Sequence, residues 1–178
     1  MAAFLVWAET GSLEAIGIGR RPVWTTVGWA LFGWALVAIV IAQLISPVID
    51  NLAGIEPDYS AYGALEGNLD VALRLLAGAF ISAMIAEEIV YRGYFLHQVT
   101  ALLGDTVLMR VVAILAGGIV FALPHSEQGL AGMAIVGLTG MVLGWLFFRN
   151  GSRNLFIPML AHALVDVWGV SRLYLGIH

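Results

Sequence analysis

The chain has 178 residues, of which 61% are hydrophobic and 11% charged, whereas a soluble domain is about half apolar and a quarter charged. This composition excludes an ordinary soluble domain and predicts a protein whose solvent is lipid. The absence of cysteine excludes disulfides, thiolate metal ligands and a cysteine nucleophile. All eight basic residues are arginine, the formal net charge is −4 and there is no basic run, so nucleic acid is not an expected partner.

The N-terminal region precedes the first strongly apolar segment. It holds only a short apolar run, which Glu9 and Glu14 follow, and it lacks the basic start and cleavage site of a secretory signal. We therefore expect residues 1–25 to form an interfacial or amphipathic lead-in to a helical bundle over 26–178.

Five segments meet or approach the roughly 20 apolar residues that a bilayer-spanning helix needs. They lie at 26–47, 70–95, 107–125, 130–148 and 155–177. No internal repeat or second domain is visible. The sequence therefore predicts an all-α fold, a polytopic integral membrane helical bundle of about five transmembrane helices, in a single membrane-embedded domain over 1–178.

Arginine placement orients this bundle, because arginine-rich loops favour the cytoplasm. Three pairs of arginines flank turns on one side of the predicted bundle: Arg20 with Arg21, Arg92 with Arg110, and Arg149 with Arg153. The connection over 48–70 is acidic and contains no arginine. We expect an integral protein of a bacterial or archaeal cell membrane with a cytoplasmic N-terminus; Arg172, near the external end, is discordant.

Ionisable residues within spanning helices are costly and are therefore functional candidates. The second predicted helix carries Glu87, Glu88 and Arg92. Glu88 and Arg92 are four residues apart, so they share a helix face and can pair. Glu87 points about 100° away and has no basic residue on the neighbouring turn. It is the freer carboxylate and the better candidate for a general base.

Two further candidates lie on later helices. His162 and Asp166 share a face of the fifth predicted helix, where the carboxylate can fix the imidazole tautomer or provide a second polar contact. His125 follows Pro124 at the end of the third predicted helix, where a side chain can face a cavity. With Glu87, these residues offer a base and imidazoles that position a metal or an oxyanion, as hydrolysis requires.

Structural alternatives exist for every candidate: a buried ion pair for Glu88, an interfacial loop position for His125, and an interhelical polar pair for His162. Other polar residues carry no expected chemistry. His97 and His178 lie at predicted helix ends, so we expect them at the surface.

Small residues complete the pattern. Gly140 and Gly144 form a G-x-x-x-G typical of close helix packing. Ser126 lacks the G-x-S-x-G elbow of a serine hydrolase.

Three strings match a known family pattern. EEIVYR at 87–92 fits E-E-x-x-x-R, FALPH at 121–125 fits F-x-x-x-H, and HALVD at 162–166 fits H-x-x-x-[N/D]. In this order, over about 75–170, they resemble the CPBP family of intramembrane proteases, which includes CAAX prenyl endopeptidases and proteins linked to bacteriocin processing and immunity. The chain is short for that family, and nothing in it suggests recognition of a prenyl group.

The resemblance implies roles for the matching residues. Glu87 would activate water, and Glu88 would support it while pairing with Arg92. His125 and His162 would ligate a metal or, in a metal-free mechanism, assist the water and polarise the carbonyl.

Asp166 stands where many relatives carry asparagine. An ionised aspartate cannot donate a hydrogen bond to an oxyanion, so a metal-ligand or histidine-orienting role suits it better. The implied metal ligands are Glu87, His125, His162 and Asp166, with zinc as the expected divalent ion, or no metal in a glutamate-type mechanism. Phe121 is expected to support the site.

Helix geometry leaves the convergence of these residues open. At about 1.5 Å per residue, Glu87 lies roughly 25 Å before one turn and His125 roughly 30 Å after it. His162 lies only about 15 Å from its own turn. Either that turn and Pro158 carry the chain deeper, or the helices tilt strongly.

The leading hypothesis is an intramembrane endopeptidase acting on a membrane-associated protein or peptide. A second hypothesis is a non-cleaving immunity, scaffold or accessory subunit that binds another membrane protein. A transporter or channel subunit, with acids lining an ion path, is less favoured because inverted repeats are absent. Membrane lipid is an expected partner in every case.

Overall fold

The computed structural model describes residues 1–19, 21–54, 58–149 and 153–177. Within these ranges the helices, numbered in chain order, are α1 (Ala2–Thr10), α2 (Val23–Leu52), α3 (Leu69–Leu103), α4 (Val107–Ala122), α5 (Gly129–Phe147) and α6 (Phe156–Tyr174). Three short 3-10 segments accompany them: Leu13–Ile16, Ser60–Leu65 and Leu123–Gln128. The described part of the chain has no strand, and the predicted all-α fold is confirmed.

Four helical runs of the described chain are long and apolar enough to cross a membrane. Three are α2, α3 and α6, and the fourth, Val107–Phe147, contains both α4 and α5. These two helices are separated by the 3-10 segment, in which His125 departs from helical backbone angles. The prediction of a helical membrane bundle is confirmed. Two of the five expected helices, α4 and α5, are joined by the 3-10 segment into one helical run that turns back on itself.

Glycines bring α4 and α5 into close contact. A Cβ added at Gly140 would stand 3.2 Å from Cα of Gly118 and 2.9 Å from Cδ1 of Phe121. A Cβ added at Gly118 would stand 2.8 Å from the carbonyl oxygen of Gly137. The antiparallel packing that results fixes Phe121 against α5, as the small-residue pattern predicts.

Helix α3 is longer than the sequence pattern indicates. Asn68 caps its start by accepting a hydrogen bond from the Val71 amide at 3.2 Å, and Gly104, with φ +96°, follows its end. Arg92 therefore lies inside the helix and is 2% exposed, so it does not flank a turn. His97 is also buried, and the expectation of a surface residue is wrong for the same reason.

Within α3, residues Phe80–Phe95 have π-helical hydrogen bonding. Local π-helical geometry occurs frequently at functional sites. All three ionisable candidates of this helix, Glu87, Glu88 and Arg92, lie in this stretch. A second π-helical stretch, Leu36–Ile45 in α2, contains no ionisable residue, so π-helical geometry by itself does not mark the charged site.

Three of the other arginines predicted for one side, Arg21, Arg110 and Arg153, meet at one end of the bundle. Arg21 donates to the carbonyl oxygen of Arg153 at 2.7 Å, and Arg153 pairs with Asp105 at 3.3 Å. Arg110 also pairs with Asp105, through two hydrogen bonds. These contacts, led by the Arg110 hydrogen bonds, lower the pKa of Asp105 from its usual value. Arg20 and the predicted surface residue His178 lie outside the described residues.

The lead-in packs into the bundle through two side chains. Val6 and Ile16 are fully buried. A Cβ added at Gly93 on α3 would stand 3.3 Å from Cβ of Ile16, and Gly17 accepts a hydrogen bond from the Leu155 amide at 3.2 Å. The segment is thus anchored to α3 and to the start of α6, while its interfacial position stays a prediction.

Candidate active site

The candidate site begins with a buried ion pair inside α3. Nη1 of Arg92 donates to Oε1 of Glu88 at 2.8 Å, and the two residues are 2% and 0% exposed. The pairing expected from their spacing is therefore present. A buried charge is tolerated only when it is compensated in this way.

The same carboxylate joins α3 to α6. Nδ1 of His162 lies 2.7 Å from Oε1 of Glu88, and His162 is 7% exposed. An ionised carboxylate only accepts hydrogen bonds, so opposite an ionised Glu88 it is Nδ1 of His162 that carries the hydrogen and donates the hydrogen bond. That arrangement fixes the imidazole tautomer and leaves Nε2 available for other groups.

Asp166 stands on the other side of the imidazole. Its Oδ1 lies 3.7 Å from Nε2 of His162, which is ion-pair range but too long for a hydrogen bond. The sequence allows Asp166 either to fix the imidazole tautomer or to provide a second polar contact, and the 3.7 Å separation fits the second role. The partner that holds the His162 ring through a hydrogen bond is Glu88.

Arg92 extends the network to α4 and α5. Its Nη2 donates to the carbonyl oxygen of Gly140 at 3.3 Å, and its guanidinium carbon lies 4.2 Å from the centre of the Phe121 ring. An arginine over an aromatic face is attracted by the ring quadrupole. Arg92 therefore links three helices around Glu88.

The Phe121 ring is the apolar centre of the site. Its centroid lies 5.1 Å from that of Tyr91, 5.4 Å from that of His125 and 5.8 Å from that of His162. His125 directs Nδ1 to the carbonyl oxygen of Phe121 at 3.1 Å. Both imidazoles consequently pack against the same phenyl ring. The supporting role expected for Phe121 stays a prediction.

Glu87 is the least engaged acidic residue of the candidate site. It is half-buried, and it makes no hydrogen bond or ion pair with another residue of the described chain. It interacts electrostatically with Tyr91, Arg92 and Asp166. The structure therefore places Glu87 beside the network while leaving its carboxylate without a fixed partner.

The depth of His162 is explained by where α6 begins. Leu155, directly before α6, is fully buried, and its Cδ2 would lie 3.6 Å from a Cβ added at Gly93. Gly93 is only one turn beyond Glu88. The chain thus enters the bundle before the helix starts, and the few residues from Phe156 to His162 suffice to reach Glu88.

Two carboxylate oxygens of the site lack protein partners. Oε2 of Glu88 and Oδ2 of Asp166 are buried without a hydrogen bond to any described residue. Asp166 also interacts electrostatically with Glu87, Glu88, His125 and His162. Buried carboxylate oxygens of this kind can accept hydrogen bonds from water or from a bound peptide.

A metal ion is not matched by the ligand geometry. Among the described residues, no three histidine, aspartate or glutamate side chains are grouped so that they could hold one. The predicted set of Glu87, His125, His162 and Asp166 therefore does not fit a metal as these side chains are placed.

Two contributors to the site were not identified from the sequence. Tyr91 packs edge-on against Phe121, but it is one of the variable positions of the E-E-x-x-x-R string. Gly140 contributes its carbonyl oxygen to Arg92, and its motif indicates only packing. No side-chain signal exists for a backbone acceptor, although the close approach that G-x-x-x-G permits makes that contact possible.

The fold and this network define a helical integral membrane protein with a site of acidic, histidine and arginine side chains to which α3, α4, α5 and α6 contribute. A family model described as type II CAAX prenyl endopeptidase Rce1-like matches residues 69–168. The chain belongs to this family of proteases, and the family resemblance of its motifs is confirmed. Searches of curated proteins and of solved structures gave no match.

Proposed function

We propose that this protein is an intramembrane endopeptidase that hydrolyses a peptide bond of a membrane-associated protein or peptide, using water activated by Glu87. The observation that carries the proposal is the 2.7 Å contact between Glu88 and His162 beside the unpaired Glu87. One carboxylate is committed to structure and the adjacent one is free for proton transfer. Membership of a protease family supports peptide hydrolysis as the reaction.

The proposed reaction divides the work among these side chains. Glu87 accepts a proton from water as the water oxygen bonds to the carbonyl carbon of the substrate. His125 and His162 stabilise the oxyanion on the carbonyl oxygen as imidazolium rings, which donate through Nε2 while Nδ1 keeps its contact with Phe121 or Glu88. Glu87 then gives the proton to the leaving amine as the C–N bond breaks. Glu88 and Arg92 act as positioning residues because they hold His162 and Phe121.

Asp166 has a distinct part in this scheme. It is close to His162 Nε2 but makes no hydrogen bond to it, and its second oxygen has no partner among the described residues. An ionised aspartate cannot itself donate to the oxyanion. Asp166 is therefore assigned the part of a polar neighbour of His162 Nε2, which lies 3.7 Å from its Oδ1.

A glutamate-type mechanism suits the side-chain placement better than a metal-dependent one. The candidate ligands do not converge as a metal site among the described residues. The proposal therefore assigns every proton-transfer step to the side chains of this chain.

Cleavage itself can be detected with a panel of peptides that covers several classes of membrane substrate. Purified protein in lipid nanodiscs is incubated with prenylated and unprenylated CAAX-type peptides and with transmembrane-segment peptides, in water enriched in ¹⁸O. Mass spectrometry should find a new C-terminus carrying ¹⁸O on at least one class. Absence of cleavage across all classes would favour the non-cleaving accessory role instead.

A further inference from the structure

A second polar region lies further along α6, near its C-terminal end. A half-open cavity of about 360 Å³ is lined by residues of α2, α5 and α6 and by Tyr59. None of the proposed catalytic residues lines it. Its lining includes Asp50 at the end of α2 and Arg172 at the end of α6. The cavity is thus distinct from the candidate active site.

The Asp50 carboxylate is short of a hydrogen-bond donor. Oδ2 accepts a hydrogen bond from Oγ of Ser46 at 3.3 Å. Oδ1 is buried and has no partner among the described residues. Buried polar atoms are nearly always satisfied, and an ammonium group is a strong donor for a carboxylate. This end of the cavity suits a ligand cation that carries N–H groups.

Arg172 provides the opposite charge. Its guanidinium lies 5.1 Å from the centre of the Trp168 ring, which also lines the cavity. A guanidinium held on an aromatic face presents its N–H groups in a plane that matches phosphate or carboxylate oxygens. Arg172 is also the arginine that the arginine-placement rule does not explain, since it lies at the acidic end of the bundle.

Tyr59 is associated with both charges. It interacts electrostatically with Asp50 and with Arg172, and it lines the same cavity. Burial raises the pKa of its phenol, so the hydroxyl stays a neutral donor at physiological pH. The cavity therefore offers a carboxylate for a cation, a guanidinium for an anion and a phenol that interacts electrostatically with both charges.

We infer that this cavity binds a compact zwitterionic group, with a ligand ammonium at Asp50 and a ligand oxyanion at Arg172. Phosphoethanolamine has this chemistry, as the headgroup of a phospholipid or as a free molecule. The position of Asp50 and Arg172 near the ends of two membrane-spanning runs makes both sources accessible. A cavity of a few hundred Å³ is the size of a small-molecule site. The inference does not depend on peptide hydrolysis.

Native mass spectrometry of the purified chain tests the site with phosphatidylethanolamine, phosphatidylcholine and phosphatidylglycerol. The wild type should bind phosphatidylethanolamine at least about tenfold more tightly than the other two, because one charge-assisted hydrogen bond has that effect. Phosphatidylcholine lacks the N–H donors, and phosphatidylglycerol lacks the cation. Equal binding of the three lipids would overturn the inference.

Three variants locate the binding. Asp50→Asn removes the charge at the site, and the lipid preference should disappear. Gly169→Leu fills the cavity, since a Cβ at Gly169 meets nothing within 4 Å, and should have the same effect while every charge stays in place. Asp70→Asn is the matched control, because Asp70 is 71% exposed in its pair with Arg74 and does not line the cavity.

The variant results decide the outcome even if Asp50→Asn fails to fold, because Gly169→Leu then carries the test. Retention of the preference in Gly169→Leu would contradict the inference. Titration calorimetry with soluble O-phosphoethanolamine separates the two sources. If the wild type binds it and Gly169→Leu does not, the site accepts the soluble molecule as well as the lipid. If the wild type prefers phosphatidylethanolamine but does not bind the soluble molecule, the site is assigned to the lipid.

Discussion

Nδ1 of His162 lies 2.7 Å from Oε1 of Glu88, although 74 positions separate the two residues in the sequence. The contact joins α3 to α6 inside the bundle, and the same oxygen accepts a hydrogen bond from Arg92 at 2.8 Å. Glu88 therefore has a structural task, and the neighbouring Glu87 is left for chemistry. This division between adjacent carboxylates leads to the predictions below.

Glu88→Gln should destabilise the protein much more than Glu87→Gln. Loss of the Glu88 charge leaves Arg92 buried without its counter-ion, a change that costs about 3 to 5 kcal/mol in buried pairs. Glu87 has no fixed partner among the described residues, so Glu87→Gln should cost less than about 1 kcal/mol. Reversible unfolding in mixed detergent micelles measures both values. Similar losses for the two variants would mean that the carboxylates share the structural role.

Gly140→Ala should also destabilise the bundle. The new methyl would lie 2.9 Å from Cδ1 of Phe121 and 3.2 Å from Cα of Gly118, and overpacking of this kind costs about 1 to 3 kcal/mol. Gly78→Ala is the control, because a Cβ at that helical position meets nothing within 4 Å. Its replacement should be neutral or stabilising by up to about 1 kcal/mol. Thermal unfolding of both variants provides the comparison, and an unchanged melting temperature for Gly140→Ala would refute the close packing.

Asp105→Asn should reduce stability in a pH-dependent way. Hydrogen bonds from Arg110 lower the pKa of Asp105 in the folded protein. A lowered pKa means that the stabilisation is complete above the unfolded value, about 3.9, and is lost as the pH falls through the lower folded value. The melting temperatures of wild type and variant should differ most at pH 7, and the difference should shrink as the pH falls below the unfolded value. A difference of unchanged size at the lowest pH at which both proteins stay folded would show that another contact is responsible.

Membrane orientation can be read from single cysteines, because the native chain has none. Arg21, Arg110 and Arg153 meet at one end of the bundle, and we propose that this end is cytoplasmic. Asp58→Cys, at the acidic end, should react with a membrane-impermeant maleimide on intact cells. Glu14→Cys, exposed near the arginine end, should react only after the cells are opened. The reverse pattern would invert the proposed topology.

Much of this architecture follows from the sequence because hydropathy and intramembrane charge are local signals. The charge-free apolar run of α2 and the Glu88–Arg92 spacing predict a spanning helix and an ion pair, and both are present. The full length of α3 was harder to predict from the sequence. His97 and Arg92 resemble end residues in sequence, but in the structure they are buried by the lead-in and by α4 to α6.

The convergence of the site was the least predictable feature. Counting residues from the turn places His162 too shallow, because a residue count assumes that a helix begins at the membrane edge. Leu155 is already buried against Gly93 when α6 begins. Such an entry depends on contacts between segments far apart in the chain. The hydrogen bond from His162 to Glu88, rather than to its sequence neighbour Asp166, has the same long-range origin.

The proposed absence of a catalytic metal gives a direct biochemical prediction. Cleavage should persist after dialysis against EDTA and 1,10-phenanthroline, and the purified active protein should hold far less than one metal ion per chain. The reason is that, among the described residues, no three histidine, aspartate or glutamate side chains are grouped so that they could hold a metal ion. Loss of cleavage with chelator and its recovery with zinc would establish a metal-dependent mechanism instead.

The most direct test of the whole account is the initial rate of peptide cleavage by wild type, Glu87→Gln and Glu14→Gln in identical nanodiscs, with folding of each variant checked by its melting temperature. Glu14→Gln makes the same chemical change at an exposed residue far from the site and should match the wild type. Glu87→Gln should fold normally yet lose at least about a hundredfold in rate, the usual contribution of a general base. Equal rates for wild type and a folded Glu87→Gln would contradict the assignment of Glu87 as the base.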